Sequence, residues 1–140
     1  LVVDLGQFKA LNEELGRSAG DAALIEMARR LGLVVRESDT LARIGFDQFA
    51  VVMGELDSDA EIAKIAACAV AAKCLDCVLP LVYLNGVKRQ LRASVGIAMS
   101  QGTMDLDALQ TAANQALLEA KLAGGDRYHV ADTAPGAAKS

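Results

Sequence analysis

The chain has 140 residues, 53% of them apolar and only 4% aromatic, with no tryptophan and a net charge of −4. That length suits one domain with an ordinary core, and the acidic balance argues against general attraction to nucleic acid or an anionic membrane, so any phosphate site must be local. No uncharged apolar run reaches the roughly eighteen residues of a membrane span, since Lys64, Lys73 and Asp76 break the most apolar region, and Asp4 and Lys9 interrupt any signal-peptide-like start. Cys74 and Cys77 have C-x-x-C spacing, but there is no second such pair and His129 is the sole histidine. These cysteines and Cys68 therefore read as reduced cytosolic thiols rather than a metal or redox centre.

Leu1, Val2 and Val3 form a short apolar strand that runs into Asp4. Phe8, Leu11, Asn12 and Leu15 recur at helical spacing, and Gly16 ends that helix. Ser18 and Asp21 have the spacing of a helix-start box, after which Leu24, Ala28, Leu31 and Val35 give a second helix its apolar face. Two short apolar runs then flank Arg43-Ile44-Gly45-Phe46-Asp47-Gln48-Phe49, which reads as strand, tight turn, strand. A turn that carries Gly and Asp brings backbone N–H groups and a metal-binding oxygen close to a phosphate.

Ser58 with Glu61 predicts the start of a third helix whose apolar stripe is Ile62, Ile65, Ala66 and Ala69. Residues 78–84 look strand-like, and Asn85-Gly86 is a strong hairpin signal. Leu91, Ala93, Val95 and Ile97 alternate with Arg92, Ser94 and Gly96, the pattern of a half-buried strand. Leu106, Leu109, Ala113, Ala116, Leu117 and Ala120 mark a fourth helix stopped by Gly124-Gly125. Residues 127–130 suit a last edge strand, and 131–140 a linker or frayed tail. The element order predicts an α+β fold: a mostly antiparallel central sheet of about five or six strands with helices packed on its faces, around a ferredoxin-like βααββαβ core. Asp4 and Asp47 would then meet at one edge of the sheet, the paired-carboxylate arrangement that holds Mg²⁺ against phosphate oxygens. Read locally, Asp4 is a helix cap and Asp47 a turn former.

At the level of motifs the sequence resembles the GGDEF family, the diguanylate cyclase domains of bacterial signalling proteins. The segment from Asp4 to Glu13 is similar to D-x-D-x-F-K-x-x-N-D, and Gly16 with Gly20-Asp21 is similar to G-H-x-x-G-D. Arg43 to Phe49 resembles R-x-G-G-D-E-F, Ser94 to Ala98 resembles S-x-G-[IV]-A, and Ala113 to Lys121 resembles A-D-x-A-L-Y-x-A-K. The resemblance spans residues 1–130 as one GGDEF-like, nucleotide-cyclase-like domain. It implies a reaction in which two antiparallel domains each present one GTP, and each 3′-hydroxyl attacks the other's α-phosphate with Mg²⁺ assistance. It further implies Asp4 and Asp47 as metal ligands through their carboxylates and Leu5 through its carbonyl, with Asp47 catalytic. Asn12 and Asp21 would meet the guanine, and Lys9 and Lys121 the triphosphate. Arg36 and Asp39 fit the R-x-x-D site that binds product cyclic di-GMP.

Several positions depart from the family pattern. Gly6 replaces the second Asp of D-x-D, Arg17 the His, Leu118 the Tyr, and Gly125 the phosphate-contacting Arg. In the signature turn, Phe46 stands where the second glycine lets backbone approach the nucleotide, and Gln48 removes a negative charge. The expectation is therefore a degenerate, cytoplasmic GGDEF domain acting in regulation or dimerisation without efficient synthesis. It would belong to a longer multidomain chain carrying an EAL or sensor domain; the alternatives are a weakly active diguanylate cyclase and a cyclic di-GMP receptor through the R-x-x-D site.

Overall fold

Strand β1 (Val2–Leu5) is buried along its whole length although it carries Asp4. Neighbouring strands cover both its edges and helices cover both its faces. In the computed structural model, which describes residues 1–6, 8–45, 47–54, 58–100 and 105–131, β1 pairs antiparallel with β3 (Gln48–Val52) on one side and with β6 (Ala93–Ile97) on the other. The hairpin partner β2 (Thr40–Arg43) forms one edge of the sheet. At the opposite edge β7 (Tyr128–Val130) pairs parallel to β6, giving the order β2-β3-β1-β6-β7. A separate ribbon joins β4 (Val82–Leu84) to β5 (Val87–Arg89) through the Asn85-Gly86 turn, whose positive φ angles of 52 and 80° suit those two residue types. The mostly antiparallel α+β architecture and the central placing of β1 beside the hairpin agree with the sequence reading.

Side-chain alternation along the strands sorts residues between two layers. Val3, Leu5, Phe49, Val95 and Ile97 enter the main core with α1 (Phe8–Leu15), α2 (Arg17–Val34) and α3 (Ala60–Cys77), while Val51 is buried outside that cluster. Val2 packs instead with Ala113 and Leu117 of α4 (Leu106–Leu122). Gly96 lies on that second face, where an added Cβ would sit 2.1 Å from the Ala113 carbonyl oxygen and 2.4 Å from the Leu117 nitrogen. Here backbone meets backbone, and only glycine leaves room.

Five local expectations change. Helix α2 is preceded by Gly16 at φ 95° without a side-chain cap, so Ser18 and Asp21 form no start box; the Ser18 hydroxyl instead accepts from Asn85 Nδ2 at 3.2 Å. Helix α3 is capped by Asp59 rather than Ser58, because the Asp59 carboxylate accepts from the amides of Glu61 and Ile62. Its buried face is Ala63, Ala67, Val70, Ala71 and Cys74, while Ile62 and Ile65 are exposed; small side chains allow the close approach. Strand β4 begins only at Val82, because Val78 closes α3 and the buried guanidinium of Arg30 takes the carbonyls of Val78 and Pro80 at 2.9 Å each. Strand β6 is buried at all five positions rather than half-buried, since α4 covers its second face.

The three cysteines are unpaired, and burial pushes the Cys74 thiol up to about 12, so it carries no thiolate at neutral pH. No helix among the described residues is long and apolar enough to cross a membrane. Of the predicted tail, 132–140 lies outside the described residues.

Arg30 ties α2 to the α3–β4 connection across 48 to 51 residues of sequence. Its removal leaves buried carbonyls unpaired, so Arg30→Ala is expected to cost about 3 kcal/mol in chemical denaturation. The Glu26 carboxylate, hydrogen-bonded by Arg29 and Arg30, is held down at about 2 against an ordinary 4.5. A depressed carboxyl contributes stability above its ordinary pKa and loses it as pH falls towards the folded value. Glu26→Gln should accordingly flatten the acid limb of the stability–pH curve between 4.5 and about 2.

Candidate functional site

The alternation that sends Val2 towards α4 also sends Asp4 there, two residues further along β1. Asp4 is 2% exposed. One of its carboxylate oxygens forms an ion pair with Lys121 Nζ, one turn beyond Leu117 on α4. The other, Oδ1, is buried without a hydrogen-bond partner among the described residues. Asp47 reaches the same place from the hairpin: its carbonyl accepts from the Leu5 amide at 3.1 Å, and Gln48 registers with Asp4. Burial, first, and the facing Asp4 carboxylate push the Asp47 carboxyl above its ordinary 3.8, against a smaller pull from Lys121. The predicted meeting of Asp4 and Asp47 is thus present, and Lys121 joins them. Two carboxylates and the Leu5 carbonyl are hard oxygen donors, and the orphaned Asp4 Oδ1 is a lone pair that a divalent cation would satisfy, so this donor set fits Mg²⁺.

The departing positions surround this pair. Gly6 is exposed and donates its amide to the Arg92 carbonyl at 2.7 Å. Gln48 lies against the turn, its Oε1 3.5 Å from where a Cβ on Gly45 would be. Gly125 has φ 73°, with Ser94 Oγ 3.3 Å from its hypothetical Cβ. Phe46 lies outside the described residues.

Asn12 and Asp21 are brought near each other by the crossing of α1 and α2. Asn12 Oδ1 occupies the space left at Gly20, where a Cβ would fall 1.7 Å from it, and this oxygen is buried without a partner among the described residues. Asp21, next in sequence, is exposed, as is Lys9 on α1. Arg36 and Asp39 sit at the other end of the hairpin, since Thr40 registers with Val52 while the turn holds Asp47. There the Arg36 guanidinium donates to Asp39 Oδ1 and to the Gly54 carbonyl at 2.9 Å each, and its hydrogen bonds hold the Asp39 carboxyl below its ordinary value. Two groups escaped the sequence reading. Arg92 forms an ion pair with Asp126 at 2.7 Å, and Gly20 makes the seat for Asn12.

A carboxyl raised by folding takes up a proton more readily in the folded than in the unfolded chain, so its ionisation subtracts stability as pH climbs through the raised value. Asp47→Asn, measured by chemical denaturation without divalent cations, is expected to stabilise the protein at neutral pH. The gain should shrink as pH falls towards the ordinary carboxyl value of 3.8; a gain independent of pH would contradict a carboxyl raised by burial and by Asp4.

The model of the diguanylate cyclase GGDEF domain matches residues 1–127. Diguanylate cyclase TpbB of Pseudomonas aeruginosa is 35% identical over 99 residues, 71% of this chain and 22% of that protein. The probable diguanylate cyclase DgcC of Escherichia coli is 35% identical over 132 residues, 94% of this chain and 34% of its own length. The chain therefore spans between about a fifth and a third of these relatives. Among solved structures, the GGDEF domain of TpbB from P. aeruginosa superposes with a TM-score of 0.84 at 30% identity, covering 94% of this chain and 74% of that one. An EAL/GGDEF domain protein from M. capsulatus gives 0.80 at 29% identity, covering 94% and 83%. From its sequence, fold and site geometry together, this chain belongs to the diguanylate cyclase GGDEF domain family.

Proposed function

We propose that this is a degenerate GGDEF domain that serves regulation or dimerisation in cyclic di-GMP signalling and does not synthesise the dinucleotide efficiently. The observation that carries the reading is the contrast between an intact scaffold and an altered signature. Asp4, Asp47 and Lys121 are gathered at the C-terminal end of the central strand β1, while positions 6 and 48 contribute no carboxylate and position 46 carries a phenylalanine. A Mg²⁺ held by Asp4, Asp47 and the Leu5 carbonyl would supply charge neutralisation at phosphate oxygens. Lys121, already on Asp4, would share itself between that carboxylate and a phosphate. With Gln48 in place of an acid, the site lacks one oriented charge, and the loss of one such group costs about 10²–10³ in rate. The retained Arg36–Asp39 pair supports a second role as a receptor for cyclic di-GMP, with the Arg36 contacts to Asp39 and Gly54 exchanged for the ligand. An EAL or sensor domain of a longer chain is the partner this reading implies.

Incubation with GTP and Mg²⁺, followed by chromatography of the products, is expected to yield cyclic di-GMP at a rate at least about 10²-fold below that of an active GGDEF domain. Turnover comparable to an active domain overturns the proposal. The double back-substitution Phe46→Gly with Gln48→Glu should raise the rate if those two positions limit it.

A further inference from the structure

Lys121 is not the only cation on the α4 face of the sheet. Gly96, Ser94 and Arg92 alternate onto one face of β6 and its N-terminal extension, opposite Val2, Asp4 and Gly6 of β1. Helix α4 and its C-terminal loop climb this face in step. Leu117 packs on Val2 and against Gly96, Lys121 pairs with Asp4, Gly125 faces Ser94, and Asp126 pairs with Arg92. Arg92 therefore stands two strand residues beyond Ser94, the register partner of Asp4, or about 7 Å further along the sheet than the Asp4–Lys121 pair at roughly 3.3 Å per residue.

We propose that Arg92 is a phosphate-binding cation of this site, holding the outer phosphates of a nucleoside triphosphate seated over Asp4 and Asp47, with Asp126 as its exchangeable counter-ion. The inference rests on reading this edge as a nucleotide site that no longer synthesises, and makes a triphosphate the input of the regulatory domain. The surroundings of Arg92 carry it. The guanidinium is at the surface, with side chains 54% and 38% exposed for Arg92 and Asp126, and exposed pairs of this kind are held weakly enough to exchange for a multiply charged ligand. Its planar fork suits phosphate oxygens better than a point charge would. Between Arg92 and Lys121 the chain passes through Gly125, which has no side chain to cover the approach, and whose carbonyl accepts from Arg127 Nε at 3.1 Å. Gln90 Oε1, which accepts from Arg92 Nη2 at 3.0 Å, is uncharged and adds no negative charge against an anion. The buried, orphaned Asp4 Oδ1 is an independent sign that the same edge is built to meet a ligand's cation.

Titration calorimetry with GTP and with GMP, each with Mg²⁺, tests the assignment on the whole chain. Loss of a charge-assisted fork lowers affinity by about 10- to 100-fold, so Arg92→Ala should weaken GTP to that extent while changing GMP by no more than about threefold. Arg92→Lys should restore part of the loss. Asp126→Asn, which removes the competitor, should tighten GTP several-fold, and Lys88→Ala, an equal change of net charge on the distant ribbon, should leave it unaltered. GTP affinity within about twofold of wild type in Arg92→Ala overturns the proposal, as do equal losses for GTP and GMP, or the absence of GTP binding to the unaltered protein at about millimolar concentration. If Arg92→Ala does not fold, Arg92→Gln and Asp126→Asn decide the matter by the same criteria. Efficient cyclic di-GMP synthesis would overturn the regulatory reading and leave Arg92 as a phosphate contact; failure of GTP to bind would do the reverse.

Discussion

At Gly96 the backbone of α4 lies so close to β6 that no side chain fits between them. That contact fixes both the height and the rotation of the helix against the sheet. Once Ala113 and Leu117 are seated there, the helical repeat places Lys121 one turn higher and the Gly124-Gly125 reversal one turn higher again. The sheet rises in the same direction from Gly96 through Ser94 to Arg92, and from Val2 to Asp4, by antiparallel register. Every charged contact on this face is a consequence of where α4 was first allowed to touch. A helix standing further out by the thickness of one methyl group would hold the same residues and lose the alignment of Lys121 with Asp4.

Asp4 is the costly member of this arrangement. A carboxylate that is almost wholly buried has lost most of its hydration, and one ammonium group on one of its oxygens offsets that loss only in part. Its second oxygen has no partner among the described residues, and the Asp47 carboxyl stands close by, raised first by burial and then by the Asp4 charge. A fold selected only for stability would replace this pair with apolar groups. On a central strand, the balance of this pair is one that a bound cation, such as the Mg²⁺ of the proposed function, would complete.

Much of this was legible in the sequence because the signals were local or periodic. The β1–α1 junction, the Gly16 break, the Asn85-Gly86 turn and the α4 stripe each depend on residues within a few positions of one another. The misreadings have a common physical origin in contacts made across the fold. Helix α3 is apolar nearly all round, so its two isoleucines looked like the core, whereas packing required its alanines and Cys74 at the close approach. The late start of β4 is imposed by Arg30, 48 to 51 residues away in sequence. Arg92 read as one polar position in an alternating strand, and nothing local pointed to Asp126, 34 residues on.

The nucleotide edge rests on two supports that are mechanically separate. The carboxylates are held by the ladders of β1, β3 and β6, whereas Asn12 and Asp21 are held by the α1–α2 crossing. That crossing is fastened in turn by the β4–β5 ribbon: Asn85 Nδ2 donates to the Leu15 carbonyl at 3.1 Å at the end of α1, and Arg89 pairs with Glu14. The second support does not pass through the signature turn, whereas the first shares Asp47 with it and pairs Gln48 with Asp4. A side-chain change at position 48 therefore leaves the helix crossing and the ribbon in place, and the chemistry of the turn can be lost without that part of the fold. Conversely, a ligand that bridged the carboxylate edge and the α1–α2 crossing would couple the two supports and, through Asn85 and Arg89, the exposed ribbon. On the proposed reading, that coupling is the physical route by which a domain that does not make the nucleotide efficiently would still report on one.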